Sequence, residues 1–298
     1  MKKIDVHTHV TMFPDITPKR PGDGENYLTV EKQLKVFDEV NTQVGVLLPL
    51  ISPECQWACI SNQEAKTIAD TYPDRFVWFC NVDPREGNFT PKSDLESIVG
   101  FYKSIGAKGL GELTAPLYAD DPMMDNLFTA CENLDMPVLF HIAPFMGGCY
   151  GMVDDLGLPH FERMLKKHPN LKFIGHSTSF WAELSAGITE ADRATYPTGK
   201  VTDGRIHQLM REYGNLYCDL SAGSGANALM RDPDHAARFV EEFSDRILYG
   251  SDICVSFQNY HITFDKFLDK MLEDKMISLE NYEKIICKNA ARILDIKI

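Results

Sequence analysis

No CxxC pair occurs among the eight cysteines of this 298-residue chain. Several cysteines sit inside apolar runs, as in Trp78-Phe79-Cys80 and Ile285-Ile286-Cys287, where a buried thiol acts as a small hydrophobe. Cys55 and Cys59 share a helical spacing but lack partner ligands, which excludes a zinc knuckle. No apolar run approaches the ~18 residues of a membrane span. Positive charge is scarce: 30 Lys and Arg face 43 Asp and Glu, for a net charge of −13. Phosphate binding needs clustered cations, so nucleic acid and anionic membrane are excluded as expected partners. No secretory signal is visible, since Met1-Lys2-Lys3 leads straight into an apolar run. A cytoplasmic protein with reduced thiols is expected. No linker, low-complexity tract or internal repeat divides the chain, so residues 1–298 read as one domain.

What is present is a repeated alternation of strands and helices. Eight short, near-continuously apolar runs read as buried parallel strands: Lys3–His7, Val44–Pro49, Phe76–Val82, Ala107–Glu112, Pro137–His141, Leu171–His176, Leu216–Leu220 and Ile247–Ser251. Helical patterns fall between them. Thr29 can cap a helix whose face carries Val30, Leu34, Phe37 and Val40. Thr90-Pro91 reads as a cap followed by proline at the first helical position. Asp121 to Leu134, Leu158 to His168, His235 to Phe243 and a last segment from Ser278 can each hold a helix. Eight such units predict an α/β fold, a (β/α)₈ TIM barrel. A doubly wound open sheet is the rival, but it would not bring the ends of strands one, four, five, six and eight together. The long connections at residues 10–28, 143–157, 177–201 and 253–262 all follow strands. They mark the mouth where barrels carry their sites.

Metal-preferring side chains sit at those strand ends: His7 and His9, Glu112, His141, His176 and Asp252. Alternate residues on a strand point to one face, so Asp5, His7 and His9 face together while Ile4 and Val6 face the helices. Two imidazoles at one strand end can grip an ion such as zinc. Taken singly, each residue has a plainer reading: a core histidine, an N-capping aspartate, a loop glutamate. Their coincidence at the same end of successive strands favours a metal site.

These elements resemble the amidohydrolase superfamily, in the amidohydrolase-related ("amidohydrolase 2") branch of TIM-barrel metal-dependent hydrolases. The matching elements are Asp5-Val6-His7-Thr8-His9, strand-end His141 and His176, Gly250-Ser251-Asp252 and the closing Asn289-Ala290-Ala291-Arg292-Ile293-Leu294. The resemblance implies that His7, His9 and Asp252 are metal ligands. His141 would bind the same ion or a second one. His176 would bind a second metal or polarise the transition state. Relatives carry a lysine or glutamate near the fourth strand to bridge two ions, so an inward Glu112 would open the way to a second. One Zn²⁺ is expected, with room for two.

Metal-bound water falls in pKa from 15.7 to roughly 7, and Asp252 could take its proton as general base. The expected function is hydrolysis of a C–N or C–O bond in a small polar molecule, such as a lactone, cyclic amide or ester. A non-oxidative decarboxylase, or other lyase, is the alternative. A barrel that only binds metal or ligand is the non-catalytic one. Substrate contacts are expected from Trp57, Tyr150, Trp181, Arg193, Arg231 and His261, with Lys200 a further cation in the mouth-side loops. Ser221 to Ala226 reads as a tight turn or a phosphate loop. His160, His168, His207 and His235 read as structural or surface residues. A homo-oligomer is compatible with this reading.

Overall fold

The structure, a computed structural model, describes residues 1–20 and 22–297, apart from the side chains of residues 56–58. Strands form where the apolar runs predict them: β1 (Lys3–Thr8), β2 (Thr42–Leu47), β3 (Phe76–Trp78), β4 (Leu110–Leu113), β5 (Val138–Ala143), β7 (Phe173–His176), β8 (Leu216–Asp219) and β9 (Ile247–Leu248). An additional two-residue strand, β6 (Met152–Val153), lies in the loop after β5. It pairs with the end of β5, and its neighbour Gly151 donates to the Thr114 carbonyl at 2.8 Å. The long loop is thereby pinned across the mouth.

All ladder pairings are parallel, in the orders β1-β2-β3 and β4-β5-β7-β8-β9. A parallel bridge between Cys80 and Leu110 joins β3 to β4. The ring closes between β9 and β1. Val6 N–H donates to the Tyr249 carbonyl at 3.0 Å, and Asp252 N–H donates to the His7 carbonyl, also at 3.0 Å. The fold is therefore the expected (β/α)₈ TIM barrel.

Helices cover the outer face because each presents an apolar stripe to it. Phe140 of β5 packs against Phe161 at a centroid distance of 4.6 Å, and Phe173 of β7 packs against Phe128 at 5.1 Å. Each ring is fully buried, which stabilises the fold by about 1.5–3 kcal/mol per side chain. Gly175 lies between them for a steric reason: a Cβ there would meet the Phe180 ring at 2.3 Å. One expected helix start is corrected. Thr90-Pro91 forms a turn, and the helix begins at Leu95, because the Asp94 carboxylate accepts from Ser97 N–H at 3.1 Å and caps it. Ser221 to Ala226 is likewise no plain turn but opens a helix over Ala222–Met230.

Candidate metal centre

The site is built from side chains at strand ends, two from β1 and one each after β4, β5, β7 and β9, and the decisive atoms are imidazole nitrogens. On β1, His7 Nδ1 lies 2.7 Å from Asp219 Oδ2. The ring of His9 places Nδ1 at 2.9 Å from the Leu48 carbonyl. A carbonyl can only accept, so the His9 proton sits on Nδ1 and its Nε2 carries a lone pair. The two Nε2 atoms face each other at 3.0 Å. Two ligands on one tetrahedral zinc at 2.0–2.1 Å lie roughly 3.3 Å apart, so this pair is already spaced for a shared cation.

Carboxylates complete the surround. Asp252 Oδ1 lies 3.6 Å from His7 Nε2 and 3.7 Å from His9 Nε2. Glu112 points inward, with Oε2 3.2 Å from His9 Nε2 and Oε1 2.7 Å from His141 Nδ1. The second oxygen of Asp252 lies 3.8 Å from His176 Nε2, and Glu112 Oε1 lies 4.0 Å from the same nitrogen. Both carboxylates therefore face two clusters at once, His7-His9-Asp252 and Glu112-His141-His176. All six predicted ligands converge, in an arrangement suited to one ion with an adjacent second position.

Charge balance points the same way. Burial pushes His7 down, but Asp252, Asp219 and Glu112 outweigh it and hold this imidazole well above its ordinary pKa. Burial raises Glu112, yet the imidazoles of His141, His7 and His9 hold it well below the usual carboxylate range. Burial pulls His141 down. The Glu112 carboxylate is thus held ionised beside facing imidazoles, a donor set that a divalent cation satisfies.

Asp219 is a site residue that sequence reasoning missed, as it missed Arg20 and the tyrosines Tyr27, Tyr196 and Tyr260 of the mouth cavity. Its Oδ2 accepts from His7 Nδ1 and from Ser221 Oγ at 2.7 Å, and lies 3.2 Å from His176 Nδ1. One carboxylate behind two metal-facing imidazoles sets their tautomer and orientation. Burial raises its pKa, but His7 and His176 pull it well below normal. Its signal was the one that found the others, an acidic residue closing an apolar run. Gly250 is required beside it, since a Cβ would meet Asp219 Oδ1 at 2.7 Å and Ser221 Cβ at 2.9 Å.

A third cluster, Asp203-His207-His235, also brings ligand atoms together. It lacks such support. The Gly204 N–H donates to His207 Nδ1 at 3.2 Å, so His207 keeps its proton on Nε2, which faces His235 Nε2 at 2.8 Å. An imidazole–imidazole hydrogen bond accounts for this pair without an ion.

Most of the predicted substrate-contact side chains turn away from the mouth cavity, because a loop position does not determine where a long side chain points. Trp181 is buried and donates Nε1–H to the Asp219 carbonyl at 2.9 Å. It braces the metal centre from behind. Arg193 is fully buried and donates to the carbonyls of Pro144 and Asp154 at 3.0 and 2.8 Å. It clamps the β5 loop. Arg231 bonds Ser185 Oγ, His261 bonds Glu39, and Lys200 pairs with Asp232 and Asp234. Tyr150 does reach the site, its ring 4.7 Å from that of His141. The side chain of Trp57 lies outside the described residues. His160 and His168 are held by acidic partners away from the site.

The four long loops enclose a cavity of about 490 Å³ over the cluster. Tyr27, Tyr150, Tyr196 and Tyr260 line it, and Arg20 is the only lysine or arginine among its described lining residues. Arg20 lies over the Tyr27 ring at 5.8 Å. Ala222, Gly223 and Ser224, the first turn of the helix Ala222–Met230, also line it, and the Ala222 N–H is already bonded to the Ser251 carbonyl at 3.2 Å. The first-turn N–H groups of a helix lack intrahelical acceptors and favour anions. Cys254 Sγ lies 3.1 Å from Asp252 Oδ1, and the Tyr260 hydroxyl donates to the Asp252 carbonyl.

These features define a (β/α)₈ barrel carrying a candidate metal centre at its mouth. The chain belongs to the amidohydrolase family, whose model, described as "Amidohydrolase", matches residues 4–296. No curated protein sequence matches it. Solved structures resemble it over their full length at low identity. An uncharacterised TIM-barrel protein from Bordetella bronchiseptica has a TM-score of 0.63 at 19% identity, covering 99% of each chain. A 2,6-dihydroxybenzoate decarboxylase from Rhizobium has 0.59 at 16%, covering 99% of this chain and 98% of that one. A 5-carboxyvanillate decarboxylase from Novosphingobium aromaticivorans, complexed with manganese and 4-hydroxy-3-methoxy-5-nitrobenzoic acid, has 0.61 at 17%, covering 99% and 96%. At these identities the likeness shows the fold alone.

Proposed function

We propose that this protein is a divalent-metal-dependent, non-oxidative decarboxylase of a small aromatic carboxylic acid. This replaces the hydrolase expected first from the sequence. The observation that carries the reading is the cavity lining. Arg20, steadied by Asp23, and a helix N-terminus offer two anchors for an anion, beside four tyrosine rings that suit a flat apolar body. Arg20 Nε already pairs with Asp23 Oδ2 at 3.4 Å, so the guanidinium is held at the cavity wall, and a substrate carboxylate would be its second partner. The decarboxylases among the similar folds support the same direction.

His7, His9 and Asp252 would hold the ion, with Glu112, His141 and His176 beside it. A bound divalent ion would supply an electrophilic anchor for substrate oxygen. Arg20 binds the anionic group and orients the ring. The carbon–carboxylate bond breaks, CO₂ leaves, and its electron pair stays on the ring carbon, which takes a proton. Asp252 is the carboxyl group placed to hold that proton. Its Oδ1 faces the Cys254 thiol, while Oδ2 turns toward His176.

The test is to incubate metal-replete protein with hydroxybenzoic acids in D₂O. The expected result is one CO₂ per product and one deuterium on the carbon that lost the carboxylate. Turnover of a lactone or amide panel with water consumed and no CO₂ released would refute the reading. Arg20→Met should raise KM by about 10–100-fold with a smaller change in kcat, corresponding to the 1.5–3 kcal/mol of a hydrogen bond to a charged group. An unchanged KM would remove Arg20 from substrate binding.

A further inference from the structure

Beside the cavity over the metal ligands lies a second space of about 630 Å³. The two share three walls: His141, Tyr150 and Thr178 line both. His141 thus separates two chambers while its Nδ1 lies 2.7 Å from Glu112 Oε1. Anything bound at the ligand cluster is one side chain away from the second space.

The chemistry of the second chamber differs from that of the first. Ile142 of β5, Phe145 of the loop after it and Ala194 of the β7 loop supply apolar surface. Its one charged lining residue, Glu54, is already matched by Arg85, whose guanidinium contacts both carboxylate oxygens at 2.9 Å. No lysine or arginine lines the space among the described residues. The space is open to solvent along Phe145, Gly148 and Ala194, so a charged group there would find no partner among the described lining residues, whereas an apolar group would gain contact with Ile142 and Phe145.

We propose that this chamber is a second subsite, which receives a neutral, apolar substituent carried on the ring of the substrate. Tyr150, standing against His141 at a centroid distance of 4.7 Å, forms the threshold between the two. The inference rests on the aromatic-acid reading of the first cavity. The enzyme would then prefer a substituted ring to the bare one. The substituent would lie against Gly148, whose positive φ of 73° would strain a larger residue.

The test is calorimetric binding to the manganese-loaded protein with two probes, 2-hydroxybenzoate and 5-phenyl-2-hydroxybenzoate. The phenyl derivative should bind at least tenfold tighter. Ala194→Trp fills the second chamber from an exposed position. It should abolish that preference and leave 2-hydroxybenzoate affinity within about twofold. Tyr150→Phe should keep the preference, because the ring and not the hydroxyl forms the threshold. Equal affinities in the native protein, or a preference that survives Ala194→Trp, would overturn the subsite alone. Failure of both acids to bind would overturn the subsite and the aromatic-acid reading together.

Discussion

Asp252→Asn should fold normally and decarboxylate about 10³-fold more slowly, within the 10²–10⁴ range of a positioned proton-transfer group. The backbone gives no reason for misfolding. Asp252 has φ of 50°, in the left-handed region that asparagine also tolerates. Its N–H donation to the His7 carbonyl, 3.0 Å long, closes the barrel and survives the change. An amide keeps one oxygen to face His7 and His9, but it has no dissociable proton to give a ring carbon. The loss should therefore fall mainly on kcat, with KM little changed. Kinetics and metal content must be measured on the same preparation, so that a vacant site is not mistaken for a missing acid. A metal-replete Asp252→Asn protein within tenfold of native turnover would take Asp252 out of the proton-transfer role.

The ligand cluster was legible in the sequence for a geometric reason. A strand alternates its side chains, so the spacing of His7 and His9 already put both on one face. A parallel barrel gathers all its strand ends at one mouth, so Glu112, His141, His176 and Asp252 had to arrive there too. The lid residues had no such rule. Arg193 and Arg231 lie in mouth-side loops, as Arg20 does, yet only Arg20 lines the cavity. Where a loop arginine points is decided by which carbonyls and carboxylates the folded loop leaves unpaired, and one-dimensional periodicity carries none of that. For Arg193 these are the carbonyls of Pro144 and Asp154, residues 49 and 39 positions away. The inward turn of Glu112 was open for a similar cause. It depends on His141 and Asn81, whose side-chain amide donates to the Glu112 carbonyl at 2.7 Å.

Asp219 stands behind His7 and His176, where a carboxylate orients ligating imidazoles. Its replacement by asparagine should weaken metal binding by about 10–100-fold, the usual effect of losing a carboxylate behind a ligating imidazole. The native Oδ2 accepts from His7 and Ser221, and Oδ1 accepts the Ser221 N–H at 2.9 Å. Asparagine has one oxygen for these donors. If that oxygen faces Ser221 N–H, its NH₂ group meets His7 Nδ1. His7 must then shift its proton to Nε2, the atom that faces His9 at 3.0 Å and is needed as a lone pair. If the oxygen faces His7 instead, the NH₂ group opposes the Ser221 N–H and drives the His7 ring out of register. Either outcome penalises the ion, and neither removes a ligand. Competition against a chelator of known affinity would measure the effect, with His7→Asn as the reference for outright ligand loss. Affinity unchanged in Asp219→Asn would mean that His7 is oriented by the β1 backbone alone, and the carboxylate behind it would be a structural hydrogen-bond hub with no influence on the ion.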